Sequence, residues 1–182
     1  HTPTRRQRQM CIRDSPYSAS KAGSDHLARS FYKTYKLPVI ISNASNNYGP
    51  YQSIEKFIPL IIFKAINNKK IPVYGDGKQI RDWLYVEDHC EAIMKILEKS
   101  KPGEIYNISG SNEVKNLEVL EFICNYLDKY IPKKNSHKKL IKFVADRAGH
   151  DFRYAIDSSL IKKDLNWIPK HDFENGLNKT LH

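Results

Sequence analysis

From Pro16 onward, apolar positions alternate between helical stripes and short continuous runs. Pro16 suits the first turn of a helix, and the spacing predicts one long helix over Tyr17 to Lys36, with Ala19, Ala22, Leu27, Ala28 and Phe31 available for a buried face. The run PVIISNAS, Pro38 to Ser45, is β-branched, apolar and of the length of a buried parallel strand, and it leads into a turn at NNYGPYQ. Phe57 to Asn67 has helical length. IPVYG and IRDWLYV follow as short strands around the Gly75-Asp76-Gly77 turn. Asp88 is placed to cap a helix running to Ser100 with Ala92, Ile93, Ile96 and Leu97 inward. After Gly103, EIYNIS reads as a strand, and Asn116 is placed to cap a helix whose Leu117, Leu120, Cys124 and Leu127 share a stripe. IKFV reads as a further strand, and two short helices are expected after Ser158 and Asp172. This alternation predicts an α/β fold without internal repeats.

Composition narrows the class. The 182 residues suffice for one core or two small lobes. No apolar run approaches the ~20 residues needed to span a bilayer, and HTPTRRQRQMCIRDS has no secretory core, so a soluble cytoplasmic protein with no membrane partner is expected. The abrupt change of character at Pro16 marks residues 1–15 as a non-native or disordered tail, its RQRQMCIRDS resembling translated sequencing-adapter sequence. Cys11, Cys90 and Cys124 are odd in number and far apart, which argues against a disulfide framework or a zinc site; Cys90 and Cys124 read as small buried hydrophobes. The net charge of +10 invites a nucleic-acid reading. Much of it sits in the first thirteen residues and in KYIPKKNSHKKLIK, which reads more simply as a solvated loop, so no nucleic-acid partner is expected.

Candidate chemistry begins with Tyr17 and Lys21, one helical turn apart on one face. A Lys ammonium held there favours the phenolate of a Tyr whose free pKa is about 10, which makes a base usable near neutral pH. Such a pair is useful beside a nicotinamide ring, yet the chain contains no Gly-rich strand-turn-helix to hold a dinucleotide pyrophosphate. Asn46 and Asn47 follow an apolar strand, at the end where open parallel sheets bind ligands; they offer amide donors and acceptors, or they only make the turn. Arg81 follows a tight turn with Asp82, Glu87 and Asp88 nearby, and suits either bidentate phosphate recognition or pairing with one of those acids. Asp146-Arg147-Ala148-Gly149-His150-Asp151 packs acids, Arg and His around a glycine, as a binding loop or a loop crosslinked by its own ion pairs. His150 has no second imidazole close in sequence, so no metal site is expected.

Together, PYSASKAGSDHL, ISNASNNYGPYQ, EKFIPLII, IPVYGDGKQIRDWLYVEDH, GEIYNISG, NLEVLEFI and DRAGHDFRYAID resemble the extended short-chain dehydrogenase/reductases, and within them the dTDP-glucose 4,6-dehydratases. The likeness runs from Pro16 to about Leu181, and the pairing of RDW with DRAGHDFRYAID separates it from related epimerases and decarboxylases. The resemblance implies the remainder of a Rossmann-type parallel sheet, over residues 16–110 with a substrate-lobe insertion at about 54–83, and a smaller C-terminal α/β substrate-binding lobe over 111–182. It implies NAD as cofactor, dTDP-glucose as substrate, and a homodimer for the full-length parent. Tyr17 would be the base on the sugar O4, and Lys21 would lower its pKa and hold the nicotinamide ribose. Asn47 would contact NAD and Asn46 the substrate. Lys56, Phe57, the run Pro72, Val73 and Tyr74, Arg81 and Asn116 would lie on the substrate side, as would Asp146, Arg147, Ala148, Gly149 and His150. The implied reaction is oxidation at C4, loss of water across C5 and C6, and hydride return to C6, giving the 4-keto-6-deoxy sugar. The acidic pair and the glycine-rich loop such a reaction uses have no match in these residues, so the chain as written is expected to be inactive, with weak NAD affinity, and prone to aggregate through exposed apolar faces. The competing readings are another nucleotide-sugar enzyme of the same superfamily, an epimerase or dehydratase, and a basic nucleic-acid-binding module.

Overall fold

The computed structural model describes residues 16–146 and 150–182. Residues 1–15, and with them Cys11 and the expected tail, lie outside the described residues, as does the Tyr17 side chain. In chain order the elements are α1 (Pro16–Tyr35), β1 (Ile41–Ala44), β2 (Asn46–Tyr48), α2 (Phe57–Ile66), β3 (Ile71–Tyr74), β4 (Ile80–Tyr85), α3 (Val86–Lys99), β5 (Ile105–Ile108), β6 (Glu113–Lys115), α4 (Asn116–Tyr130), β7 (Ile141–Val144) after a 3-10 turn (His137–Leu140), β8 (Arg153–Tyr154), α5 (Ser159–Leu165) and α6 (Phe173–Leu181).

β1 pairs in parallel with β5, Ile41 opposite Ile105 and Ala44 opposite Ile108. This pair packs on α3 and α5 through Ala92, Ile96, Tyr106, Ile108, Ile161, Leu165 and Trp167. β4 is the hub: β2 and β8 run parallel to it and β6 antiparallel. β3 pairs in parallel with β7, so the Gly75-Asp76-Gly77 turn hands the chain from one sheet to another and closes no hairpin. The larger core joins α2, α4 and α6 to β3 and β4, with Tyr48, Ile58, Ile61, Trp83, Leu120, Ile123, Phe173 and Leu177 all buried. Here Tyr48 donates to the Phe173 carbonyl at 3.2 Å and meets Trp83 edge to face.

Several local expectations are corrected. NNY is a strand on β4 rather than part of a turn, because β4 offers its edge to it. Asp88 does not cap α3, which starts at Val86; its buried carboxylate instead accepts from the His171 backbone N–H and ring Nδ1, each at 3.0 Å. Asn116 is the first helical residue of α4, and Glu118 accepts from the Lys115 N–H at 3.1 Å in the capping position. Asp172 does cap α6, accepting from the Asn175 N–H at 2.8 Å. On α3, Ala92 and Ile96 point inward, whereas Cys90, Met94 and Leu97 repeat at helical spacing on the opposite face and are exposed. Cys90 is therefore no core residue; Cys124 is, and burial pushes its thiol up to about 11. On α1, Ala22 is buried, but Ala19, Leu27 and Phe31 are exposed and Ala28 is half-buried, since no other described element covers that face. At the helix's far end Tyr32 packs against Gly103. A Cβ there would sit 2.2 Å from the ring, and φ of +92° favours glycine independently.

Candidate functional site

The carboxyl end of β1, the start of β2, the start of β4 and the end of β8 converge on an open pocket of about 320 Å³ lined by Ala44, Ser45, Asn46, Arg81, Asp151 and Tyr154. The fold builds it by pairing. β2 lies on β4 with Asn46 opposite Trp83, and β8 lies nearer the start of β4 on the same edge, opposite β6, with Tyr154 opposite Arg81. Two short strands on one edge of β4 thus bring an amide and a phenol to the same pocket as one guanidinium. Arg81 donates to the Asp151 carbonyl at 2.8 Å and to the Ile80 carbonyl at 2.7 Å. These anchors fix the plane of the guanidinium, which a bidentate anion contact requires.

The neighbouring acids are committed elsewhere. Asp82 is buried and accepts from Ser109 Oγ at 2.6 Å and from the Asn112 N–H at 3.2 Å, tying the loop after β5 to β4. Asp88 is taken by His171. Arg81 donates to two backbone oxygens and lines the pocket.

A second group of polar residues lies beside the first. Gln79, two residues before Arg81 and buried, donates through Nε2 to Asp146 Oδ2 at 2.9 Å, while His150 Nδ1 lies 2.6 Å from Asp146 Oδ1. The Asn116 N–H donates to the Gln79 carbonyl at 2.9 Å. Gly75, with φ of +60°, lets the turn approach Asp146: a Cβ there would lie 2.9 Å from Oδ2. The structure therefore brings Asn116, Asp146 and His150 together with the Gly75 turn, although they are far apart in sequence. Arg147, Ala148 and Gly149 lie outside the described residues. Among the described residues no group of three His, Cys, Asp or Glu side chains has metal-binding geometry.

The remaining sequence candidates are placed less centrally. Lys56 is exposed at the start of α2 and pairs with Glu55 at 3.1 Å. Phe57 is half-buried and stacks on Trp83. Pro72 is half-buried and Tyr74 exposed, while the Val73 side chain belongs to the core, which leaves only its strand backbone to face a ligand. Lys21 is exposed on α1.

Asn47 tests whether these residues suit a nicotinamide cofactor. Its Nδ2 donates to the Ser45 carbonyl at 3.1 Å, and its backbone carbonyl accepts from Gln52 Nε2 at 2.8 Å. Its Oδ1 is buried and has no hydrogen-bond partner among the described residues. A buried acceptor without a donor is costly, and the carboxamide or ribose hydroxyl of a dinucleotide is the kind of donor that satisfies it. The fit is favourable.

Ser45, Gln79 and Tyr154 were not singled out from the sequence, and Asp151 was named only as the last residue of the polar run from Asp146. Asp151 and Tyr154 stand in the same polar segment as Asp146, but that Tyr154 meets Arg81 depends on the β4–β8 register. Gln79 stands in GDGKQIRDW, and only the return of Asp146 beside it gives its amide a role.

The chain is similar to known proteins in sequence and fold. A dTDP-glucose 4,6-dehydratase of Escherichia coli is 57% identical over 172 residues, covering 92% of this chain and 48% of its own. The structure of the dTDP-glucose 4,6-dehydratase of Bacillus anthracis in complex with NAD matches with a TM-score of 0.81 at 50% identity, covering 92% of this chain and 51% of that one. DesIV, the dTDP-glucose 4,6-dehydratase of Streptomyces venezuelae, solved with NAD bound, matches with a TM-score of 0.84 at 41% identity, covering 92% and 50%. The chain spans about half the length of the curated relatives it matches. The parallel strand pairs and flanking helices are those of the Rossmann-type dehydratase structures, as the sequence resemblance implied. The family model described as GDP-mannose 4,6 dehydratase matches residues 4–180, and the chain belongs to that family.

Proposed function

We propose that the chain carries the Tyr-Lys helix and the nucleotide-sugar side of an NAD-dependent dTDP-glucose 4,6-dehydratase, a cytoplasmic homodimer at the relatives' length. The observation that carries this reading is the anchored Arg81 facing Asn46 across an open pocket, in a chain 57% identical to such an enzyme. Arg81 is suited to the diphosphate, because two backbone carbonyls hold its fork while the pocket stays open. The cluster of Asn116, Asp146 and His150, with the exposed Tyr74 beside the Gly75 turn, takes the nucleoside, and Lys56 and Phe57 border the same side. Asn46 positions the sugar.

Tyr17 takes the proton from the sugar O4, and Lys21, one turn on, favours the phenolate. When bound, NAD supplies the hydride acceptor and donor that the internal redox reaction needs. Asn47 Oδ1 accepts a hydrogen bond from it, and Lys21 holds its ribose. Residues 16–110 form the dinucleotide side with an insertion at about 54–83, and residues 111–182 the substrate lobe.

Titration calorimetry of the chain with dTDP and with UDP tests this. dTDP binding, weakened about tenfold or more in Arg81→Ala by loss of a charge-assisted contact, is expected. Preference for UDP would move the reading to a UDP-sugar enzyme, and binding of neither nucleotide would sink it.

A further inference from the structure

The lysines of two distant segments meet at one edge of the molecule, away from the Arg81 pocket. β3 and β7 are parallel, with Ile71 opposite Ile141, so the residues leading into both strands lie side by side: Lys69 and Lys70 on one, Lys138 and Lys139 on the other. The loop before β7 is pinned to the same place. Lys133 Nζ donates to the carbonyls of Ala65 and Ile66 at the end of α2, at 2.9 and 2.8 Å, and to Asn68 Oδ1 at 3.0 Å. That anchor ties the segment carrying Lys134 to the end of α2 and the turn before Lys69.

The convergence is one-signed. The sequence has no acidic residue between Glu55 and Asp76 or between Asp128 and Asp146. Asp128, at the end of α4, is occupied by Ser136 Oγ at 2.5 Å and by the His137 backbone N–H and ring. Lys69, Lys70, Lys134, Lys138 and Lys139 are exposed, and among the described residues none forms an ion pair, although the chain forms several elsewhere. Holding such charges together without counter-charges is unfavourable in the free protein, and the cost is relieved by a polyanion. An aromatic ring lies among them: Phe63 is exposed, with Lys69 Nζ 5.2 Å from its centroid.

We infer that this edge is a binding surface for single-stranded nucleic acid. The lysines meet successive phosphates, and Phe63 offers a stacking face to a base, a combination that needs no sequence readout. The sequence suggested a solvated loop because the second basic segment, Lys69-Lys70, becomes its neighbour only through the β3–β7 pairing and the Lys133 anchor. This surface is independent of the nucleotide-sugar reading.

The test is fluorescence anisotropy of labelled oligo-dT and oligo-rU with the full chain across a series of salt concentrations, alongside anionic phosphatidylglycerol vesicles. About four phosphate contacts give a slope of log K against log salt near −3. The triple charge reversal K70E/K134E/K139E is expected to weaken binding at least tenfold at low salt, and the triple Lys→Arg variant to retain it; circular dichroism melts of both check that they fold. Binding insensitive to salt, reversal without effect, loss in the Arg variant, or capture by vesicles with no oligonucleotide binding would each overturn the proposal.

Discussion

α1 and α4 are both long helices with an apolar stripe, and they end in opposite circumstances. In α4, Val119, Leu120, Ile123, Cys124 and Leu127 are all buried against α2 and the strands beside it. In α1, Leu27 is 61% exposed and Tyr35 72%, with Phe31 between them packing on Tyr35 at 5.5 Å instead of on a core. A stripe at helical spacing therefore specifies a helix and one apolar face, but not what covers that face. Each fully buried Leu or Ile contributes about 1.5–3 kcal/mol, so the part built around α4 is where cooperative stability resides. α1 draws little from burial of large side chains, and at its far end Tyr32 meets Gly103.

The largest effects are expected in the α4 region. Leu120→Ala should destabilise the chain by about 2–5 kcal/mol in urea unfolding, through lost transfer energy and the cavity left behind. A loss below about 1 kcal/mol would mean that the site collapses freely and that the contrast between the helices is false. Gly103→Ala should come next and act differently. The new methyl displaces the Tyr32 ring, so amide exchange should accelerate along α1 while the β3–β7 amides keep their protection. Uniform acceleration would show that the two regions unfold as one.

A smaller effect is set by pH and belongs to the α4 side. Burial at the helix end raises the Asp128 pKa, but the Ser136 hydroxyl and the His137 N–H and ring outweigh it and hold the carboxyl at about 2. The folded-state value lies below the ordinary Asp value of about 3.9, so the contribution is complete above that pH and is lost as pH falls through about 2. Thermal melts from pH 5 down to 2 should show this acid limb, and Asp128→Asn should flatten it. An unchanged limb in the variant would assign acid sensitivity to other carboxylates.

Much of this contrast was legible in the residues, and the unread part has a common cause. Local pattern located α1, α2, α4 and the strands β1, β3, β4, β5 and β7, because 3.6-residue repeats and short apolar runs are local properties, whereas β2 was expected as a turn and β6 was not expected. The same periodicity misjudged Leu27, Phe31 and Leu97, and the cysteine spacing misjudged Cys90, since burial depends on a partner that no local pattern names. Asn46 and Arg81 were singled out and do line one pocket; Tyr154 was missed because strand pairing alone places it there. Asp88 looked like a cap because Asp caps helices, and a His 83 residues away claimed it.

The smallest expected effect is the sharpest test of the comparison. The double substitution Leu27→Ser and Phe31→Ser removes two large apolar side chains from α1, a change that in a packed helix would cost several kcal/mol. Because both side chains are exposed here, the urea midpoint should shift by no more than about 0.5 kcal/mol in stability. Binding of the dye ANS should fall at the same time, because the stripe offers it an apolar surface before any unfolding. A large loss of stability would mean that this face is covered in solution, by a second copy or by chain outside the described residues. The contrast between α1 and α4 would then be one of partner rather than of packing.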